Sequence, residues 1–440
     1  MNSAVRNDYL DRLLQDRNTL PEAPSTWLRK LRMQAVERAN ELTVPTVRDE
    51  EWRFTDLSPL YKLPFGRAAG AGTIDAARLG SYSIPETSTR LVFVDGRYSP
   101  ALSLTAPQAG VVAANLAEAS LAESHLGKLA LMDDDAFVAV NTAFLGDGAF
   151  VHVSRNTKAA APIHLVFVAT QKDTAVYPRI LVVAESGAEC TIVEDFIGFA
   201  DGPYLTDAVS EVHVGENARV AHVKVQRESQ AAFHIATAAV GVARNAGYWN
   251  WTISLGARIS RQNLNVAQGG EGTEFSIDGL TLIDGRQLAD THSSIDHAHP
   301  HGKSRQLHKT VVGGGAHAVF NGKILVREGA QQTDSGQQSR NLLLSDKARI
   351  DAKPQLEIFA DDVKCAHGAT VGQLEAEELF YLKSRGLDDA VARNLLTYAF
   401  AAEIIERIPV RSVVDKLEQY VLERTGFEQT RLDQTQGKQA

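Results

Sequence analysis

The chain has 440 residues, 44% hydrophobic and 22% charged, so it can bury a sizeable core in about three domains. Its net charge is −9 and no basic run stands out, which argues against a nucleic-acid-binding protein. Only two cysteines are present, Cys190 and Cys365, which is typical of a reducing compartment. No apolar run approaches the roughly 20 residues of a membrane span, and the N-terminal residues lack the apolar region of a secretion signal, so we expect a soluble cytoplasmic protein.

The first part of the chain is predicted to be helical. Apolar residues recur at helical spacing on both sides of a break at Pro21–Pro24, which predicts an N-terminal helical region over residues 1–62. The aromatic and acidic segment Glu50–Leu57 is expected to dock these helices on the remainder of the fold. Residues 63–148, rich at first in Gly, Ala, Ser and Thr, are predicted to form a linker and a mixed α/β segment.

Short β-branched runs separated by glycine turns dominate residues 149–372. This pattern is typical of a sandwich, a barrel or a β-solenoid. The solenoid is favoured because roughly 200 residues without a strong helix are large for one sandwich, and because the Asn-Gly and Asp-Gly pairs of tight hairpins are rare. The turns are irregularly spaced, so the sequence defines no repeat unit, and the sandwich stays open as an alternative.

The C-terminal part is predicted to be helical over residues 373–428. A helix from Glu375 to Ser384 is expected to end at Gly386, and Asp388 is expected to cap a second helix with a broad apolar face. The polar residues 429–440 are expected to form a disordered tail.

The densest group of reactive side chains comprises Asp361, Asp362, Cys365 and His367, which we predict to share one turn. A Cys and a His two residues apart can bind one metal ion or line one side of an interface. The plain structural interpretation is a small buried Cys beside a His that is hydrogen-bonded to a neighbouring Asp. Iron–sulfur clusters usually need four thiolates, so this chain could hold such a cluster only together with a partner.

A second candidate site is the histidine cluster around Gly302. On a strand, His297, His299 and His301 would share one face and could bind a metal ion. The neighbouring Pro300 and Gly302 instead favour a surface loop with solvated imidazoles. Gly302-Lys-Ser lacks the earlier glycine of a phosphate-binding loop, so we expect no nucleotide on this chain and any ATP site on another subunit.

The segment Lys353–Gly372, with the sequence KPQLEIFADDVKCAHGATVG, resembles the signature of the SufB/SufD family of iron–sulfur cluster assembly proteins. The resemblance covers about residues 50–408, and two cysteines together with the Lys-Cys-Ala-His-Gly form are similar to the SufD branch. Further similar stretches are Glu51–Leu57, Ser304–His308, Val319–Gly322, Asn341–Leu344 and Phe380–Gly386.

This resemblance implies a right-handed parallel β-helix core flanked by N-terminal and C-terminal helical regions. It also implies a non-enzymatic scaffold that works in a complex with a SufB-like homologue and a SufC-like ATPase, with SufS/SufE-type sulfur donors acting indirectly. A nascent iron–sulfur cluster would be held transiently between the SufB-like and SufD-like subunits.

The resemblance further assigns expected roles to single residues. His367 matches the family's SufD histidine that faces the SufB cysteine, and Cys365 matches the thiol beside it, so both are candidate ligands at the shared cluster site. The C-terminal helices match the region that docks the ATPase, and the expected partner contacts within them are Phe380, Tyr381, Arg385, Leu396 and Phe400.

Two other functions stay open on the residues alone. A β-solenoid polysaccharide lyase or hydrolase would act through carboxylates or basic residues, but the expected lack of a secretion signal counts against it. A metal-binding protein built on His297, His299 and His301 would bind metal without a partner.

Overall fold

The structure is a computed structural model that describes residues 3–424. The tail expected at residues 429–440 lies outside the described residues. The eight α-helices of the described range are α1 Ser3–Gln15, α2 Thr26–Glu41, α3 Ser58–Tyr61, α4 Ala76–Gly80, α5 Ala136–Ala143, α6 Ala376–Ser384, α7 Asp389–Ile405 and α8 Arg411–Arg424. Short 3₁₀ helices cover Asp16–Thr19, Glu50–Trp52, Pro100–Leu102, Leu116–Glu118 and Ser120–Ser124.

The ends of the C-terminal helices are set by their capping residues. Gly386 comes shortly after α6 and has a φ of 93°, a left-handed conformation that favours glycine. The Asp388 side chain accepts a hydrogen bond from the backbone N–H of Val391 at 2.9 Å and caps α7. Both sequence predictions at this junction are confirmed.

Strands make up about 40% of the chain, and most of them are parallel. Five strands precede residue 149: β1 Gly66–Arg67, β2 Thr89–Val94, β3 Arg97–Tyr98, β4 Leu104–Thr105 and β5 Val111–Asn115. From residue 149 onward the strands are β6 Ala149–Val153, β7 Ile163–Ala169, β8 Thr174–Val176, β9 Arg179–Ala184, β10 Glu189–Gly198, β11 Leu205–Val214, β12 Arg219–Arg227, β13 Phe233–Val242, β14 Gly247–Ser254, β15 Ile259–Gln268, β16 Glu274–Ile283, β17 Leu288–His297, β18 Lys303–Val312, β19 His317–Val326, β20 Asp334–Leu343, β21 Arg349–Ile358 and β22 Lys364–Gly372.

Successive strands alternate between two sheets, so each turn of the solenoid contributes one strand to each sheet. Sheet I runs in the order β21-β19-β17-β15-β13-β11-β9-β6-β5, and sheet II in the order β22-β20-β18-β16-β14-β12-β10-β7-β2-β3. The turns differ in length: Phe233 pairs with Ile259, 26 residues later, whereas His317 pairs with Arg349, 32 residues later. The parallel β-solenoid expected from the sequence is confirmed, with about 8 turns, and the sandwich is wrong.

The interior of the solenoid changes character along its length. Because side chains alternate between the two faces of a strand, one residue in two points between the sheets. Many of these are apolar and form one cluster that includes Ile192, Val220 and Tyr248, although buried polar side chains such as His222 and Lys224 stand among them on β12. In sheet II of the last turns the buried inward positions become polar, with Ser304 and Gln306 on β18 followed by the residues Ser335, Gln337, Ser339 and Asn341 on β20.

The N-terminal region packs against the outer face of sheet I. The Arg179 guanidinium and the Glu211 carboxylate, both fully buried, form an ion pair beneath it. The backbone N–H groups of Gly127 and Lys128 also donate to Glu211, at 2.8 and 2.9 Å. Docking by the segment Glu50–Leu57 is confirmed, because Arg261 on β15 donates to the backbone carbonyl of Glu51 at 2.8 Å.

The C-terminal helices cover the outer face of sheet II. Leu280 and Leu307 of that sheet join one apolar cluster with residues of α7 and α8. The Nζ atom of Lys309 donates to the backbone carbonyl of Phe400 at 2.8 Å and lies 4.3 Å from the centroid of its ring. Glu403 on α7 pairs with Lys309 and tightens this contact. Within residues 3–424, no helix is both long enough and apolar enough to cross a membrane.

Candidate functional site

The last turn of the solenoid, formed by β21 and β22, is uncovered; we call it the open end. Strand β21 pairs only with β19, and β22 pairs only with β20, within the range that the structure describes. Their outer edges therefore leave backbone N–H and C=O groups without a neighbouring strand. Nearly every residue of β22 is exposed, in contrast to the buried strands of the preceding turns.

Cys365 and His367 lie on β22, not in the turn that the sequence predicted. The turn comes earlier, at Asp361 and Asp362, where the backbone N–H of Asp362 donates to Gln331 Oε1 at 2.9 Å. The prediction was wrong because β22 buries neither face, so it lacks the alternation of apolar and polar residues that marks a half-buried strand.

The two candidate ligands face the same way. Cys365 is in register with Ser335, and His367 with Gln337, both on β20. Ser335 and Gln337 are buried and point between the sheets, so Cys365 and His367 also point there, roughly 6.6 Å apart along the strand. The geometry places a thiol and an imidazole side by side at the mouth of the solenoid interior.

The Cys365 thiol is partly buried against the apolar cluster of the interior. Burial raises its pKa above the ordinary value, with a smaller opposing effect from the Ser335 backbone hydrogen bond. The thiol therefore needs a metal ion or another cation nearby to become a thiolate ligand at neutral pH. His367 is exposed, and a Cβ placed on the adjacent Gly368 would have no atom within 4 Å, so a partner has room to approach.

The other cysteine takes no part in this site. Cys190 lies on β10 in the same inward column as Cys365, six strands away in sheet II. At about 4.8 Å per strand the separation is roughly 29 Å, so the two cannot share a ligand. Cys190 is buried, and burial raises its pKa to about 12.

The histidine cluster does not form a metal site. His297 ends β17 and is fully buried, with its Nε2 atom 2.9 Å from Ser304 Oγ, and burial lowers its pKa to about 4. His299 and His301 lie beyond the strand in an exposed turn, so the three do not share a face. Among residues 3–424, no group of three His, Cys, Asp or Glu side chains is arranged to hold a metal ion.

A cavity of about 510 Å³ connects the open end to the C-terminal helices. His367 and Gln337 line it on the strand side, and Glu403 and Arg407 line it on the helix side. Arg407 Nη1 lies 3.2 Å from an Asp278 carboxylate oxygen, and burial raises the pKa of Asp278 although Arg407 opposes that shift. This ion pair ties the residues just after α7 to β16 of sheet II.

The predicted partner contacts divide into two groups. Phe380 and Tyr381 on α6 are 75% and 55% exposed, and the Arg385 guanidinium lies 5.2 Å from the Tyr381 ring centroid. Leu396 and Phe400 on α7 are partly buried, and Phe400 packs against the chain's own sheet II. The first group is therefore available to a partner, whereas Phe400 already supports the fold.

A larger cleft lies away from this site. Its volume is about 790 Å³, and it separates the segment around Trp52 from the outer face of sheet I. Its floor includes Arg261, which lies over the Trp52 ring at 4.3 Å and pairs with Asp290. These contacts dock the N-terminal region on the solenoid.

Comparison with known proteins matches almost the whole chain to one family. Residues 167–400 match the SufBD core domain of the SUF system for iron–sulfur cluster assembly, and residues 3–165 match the SufBD N-terminal region. The chain belongs to the SufBD family. The family resemblance drawn from the sequence is thereby confirmed.

Curated relatives of this SufBD protein cover nearly its full length. A SufBD family protein of Synechocystis is 43% identical, over 90% of each chain. The iron–sulfur cluster assembly protein SufD of Escherichia coli is 34% identical, over 94% of this chain and 96% of that protein. SufD of Bacillus subtilis is 29% identical, over 89% and 92%. Nothing among these relatives favours the polysaccharide enzyme.

Two further residues of this site carry no signal in the sequence. The side-chain amides of Gln306 and Gln337 lie in the interior beneath the open end, and Gln337 Nε2 lies 2.8 Å from Gln306 Oε1. They stand in adjacent strands of sheet II and are 31 residues apart in the chain. Their alignment could have been predicted from the sequence only if the number of residues in each solenoid turn had been known.

Proposed function

We propose that this SufBD protein is a SufD-like scaffold subunit of a SufBCD-type complex, where it shares a nascent iron–sulfur cluster with a SufB-like homologue. One observation carries the proposal: Cys365 and His367 stand together on the exposed final strand, at the open end of the solenoid. Two ligands are too few for a conventional cluster. A second chain that meets this end would supply the rest.

The edges of the open end favour a partner with the same architecture. Each sheet ends in a strand about ten residues long, and both edges lie on the same side of the molecule. Strand addition across such edges pairs their backbone groups. Three exposed apolar side chains, Ile358, Phe359 and Val371, would be buried in the same contact.

The C-terminal helices are the proposed docking surface for a SufC-like ATPase. Phe380 and Tyr381 offer exposed aromatic area beside the Arg385 cation, a combination that is enriched at protein interfaces. Leu396 and Phe400 would support that surface from α7. The ATPase would hold the nucleotide, and SufS/SufE-type donors would deliver sulfur through the SufB-like subunit.

In this role the chain is not an enzyme. It contributes ligands and a rigid frame, while ATP hydrolysis and sulfur mobilisation take place on other subunits. The iron–sulfur cluster is cargo that leaves the site once it has been built.

The test is anaerobic purification of the complex after co-expression with its Cys-rich homologue and its ATPase. His367→Ala should remove most of the iron–sulfur absorbance, and it should leave the free energy of unfolding within about 0.5 kcal/mol because the side chain is exposed. His299→Ala, in an exposed turn, is the matched control and should keep the cluster.

Three results would count against the proposal. A chain that binds neither partner would reduce the family relationship to a shared fold. A complex that keeps its full cluster signal in His367→Ala would exclude His367 as a ligand. A large loss of stability in the same variant would assign the residue to the fold.

A further inference from the structure

A chain of amide hydrogen bonds crosses the interior just below the open end. Gln306 Nε2 donates to Ser293 Oγ at 2.8 Å, and Gln337 Nε2 donates to Gln306 Oε1 at 2.8 Å. Gly322 on β19 leaves the space for this chain, because a Cβ there would lie 2.3 Å from Gln337 Nε2. The Gln337 amide is therefore held in one orientation, with one of its N–H groups donated to Gln306.

The acceptor end of the same amide is unsatisfied. Gln337 is 1% exposed, and its Oε1 atom has no hydrogen-bond partner among residues 3–424. Buried polar atoms in folded proteins almost always have a partner. An acceptor that is buried, held in place and still free indicates a donor that reaches it when the site is complete.

His367 is the donor in the right position. It stands directly across from Gln337 on the neighbouring strand, where paired residues are about 4.8 Å apart. Both side chains point between the sheets, toward the interior of the solenoid. The other candidate ligand, Cys365, is aligned with Ser335 instead.

We propose that Gln337 is a positioning residue for His367: its Oε1 accepts the imidazole N–H and leaves the opposite ring nitrogen free to bind iron. This inference rests on the proposed function of His367 as a ligand. A histidine that binds a metal almost always donates its other N–H to an oxygen acceptor, which fixes its tautomer and its ring orientation. Gln337 supplies that acceptor from a neutral group, so it adds no charge to the site.

The test measures how fast a chelator removes iron from the anaerobically purified complex. Gln337→Leu keeps the approximate volume but has no acceptor, and it should release iron about tenfold faster, as expected for the loss of such an oxygen. Gln337→Glu keeps an acceptor and should restore most of the retention, because the Gln306 amide can turn to donate to the new carboxylate. Gln338→Leu is the matched control on the same strand, since Gln338 points outward and accepts from Arg340.

A double-mutant comparison separates positioning from folding. If Gln337 acts through His367, then Gln337→Leu has no further effect on iron release once His367→Ala is present. The melting temperature of each free chain, compared with wild type, reports any structural cost of the substitution.

The outcomes distinguish this inference from the proposed function. If Gln337→Leu retains iron like the Gln338→Leu control while His367→Ala loses it, His367 remains a ligand and the positioning role is refuted. Equal losses in Gln337→Leu and Gln337→Glu, or an additive effect in the double variant, also refute that role. If His367→Ala itself retains iron, His367 is not a ligand, and the proposed function is refuted whatever the Gln337 variants show.

Discussion

Replacing His308 by phenylalanine should make this protein less sensitive to acid. His308 is 3% exposed on β18 and stacks on the Phe320 ring at a centroid distance of 4.7 Å. Burial lowers its pKa to about 3, whereas an exposed histidine titrates near 6.5. Between these values the unfolded chain binds one proton more than the folded chain, so stability falls as the pH falls through this range.

The size of the effect depends on that single proton. One extra proton on the unfolded chain costs about 1.4 kcal/mol of stability per pH unit, which amounts to about 2.5 kcal/mol between pH 6 and pH 4. His308→Phe keeps an aromatic ring for the stack on Phe320 and removes the proton-binding group. Between pH 6 and pH 4 the unfolding free energy of this variant should therefore fall by about 2.5 kcal/mol less than that of wild type.

Urea unfolding at intervals from pH 4 to pH 6 measures the difference. Thr281→Val is the control, because it removes the hydroxyl 3.2 Å from His308 Nε2 and introduces no change in titratable groups. Its stability curve should stay parallel to that of wild type. Parallel curves for wild type and His308→Phe would refute the reasoning, since they would mean that the folded chain binds the proton as readily as the unfolded one.

Three further predictions concern packing and docking. Arg179→Met should destabilise the fold by about 3–5 kcal/mol, because it leaves the buried Glu211 carboxylate without its cation; a loss below about 1 kcal/mol in urea unfolding would contradict this. Phe380→Asp should abolish co-purification with the ATPase at an unchanged melting temperature, because its ring is exposed. Phe400→Asp should lower the melting temperature, because its ring packs beneath Lys309. If instead Phe380→Asp lowered the melting temperature and Phe400→Asp released the ATPase, the docking surface would have to be assigned to the region around Phe400.

The sequence predicted the solenoid but not its repeat. Strands and turns were visible because β-branched runs and glycines mark them locally. The repeat length could not be read from the sequence because the turns between strands differ in length. Phe233 pairs with a residue 26 positions later, whereas His317 pairs with a residue 32 positions later. Register in such a fold is set by strand pairing across a whole turn, which a local pattern does not contain.

The candidate ligands could be predicted, whereas their surroundings could not. Cys365 and His367 stood out as a soft ligand and an imidazole two residues apart, and the family signature supported them. Gln337 carried no signal, because a glutamine beside a second glutamine is ordinary on a protein surface. Its burial depends on Gly322 in the opposite sheet and on Gln306 one turn earlier. Such a site is assembled by topology and cannot be seen in one segment.

The difference between the two ends of the solenoid limits how far it can associate. At the beginning, sheet I ends in β5, an antiparallel strand, and sheet II ends in β3, which has only two residues. Short terminal strands offer few backbone groups for further pairing. When the long edge strands of two molecules pair at the opposite end, their backbone N–H and C=O groups satisfy each other. No long edge then remains for a third molecule. Association through these edges is therefore self-terminating: it yields a pair and not a filament.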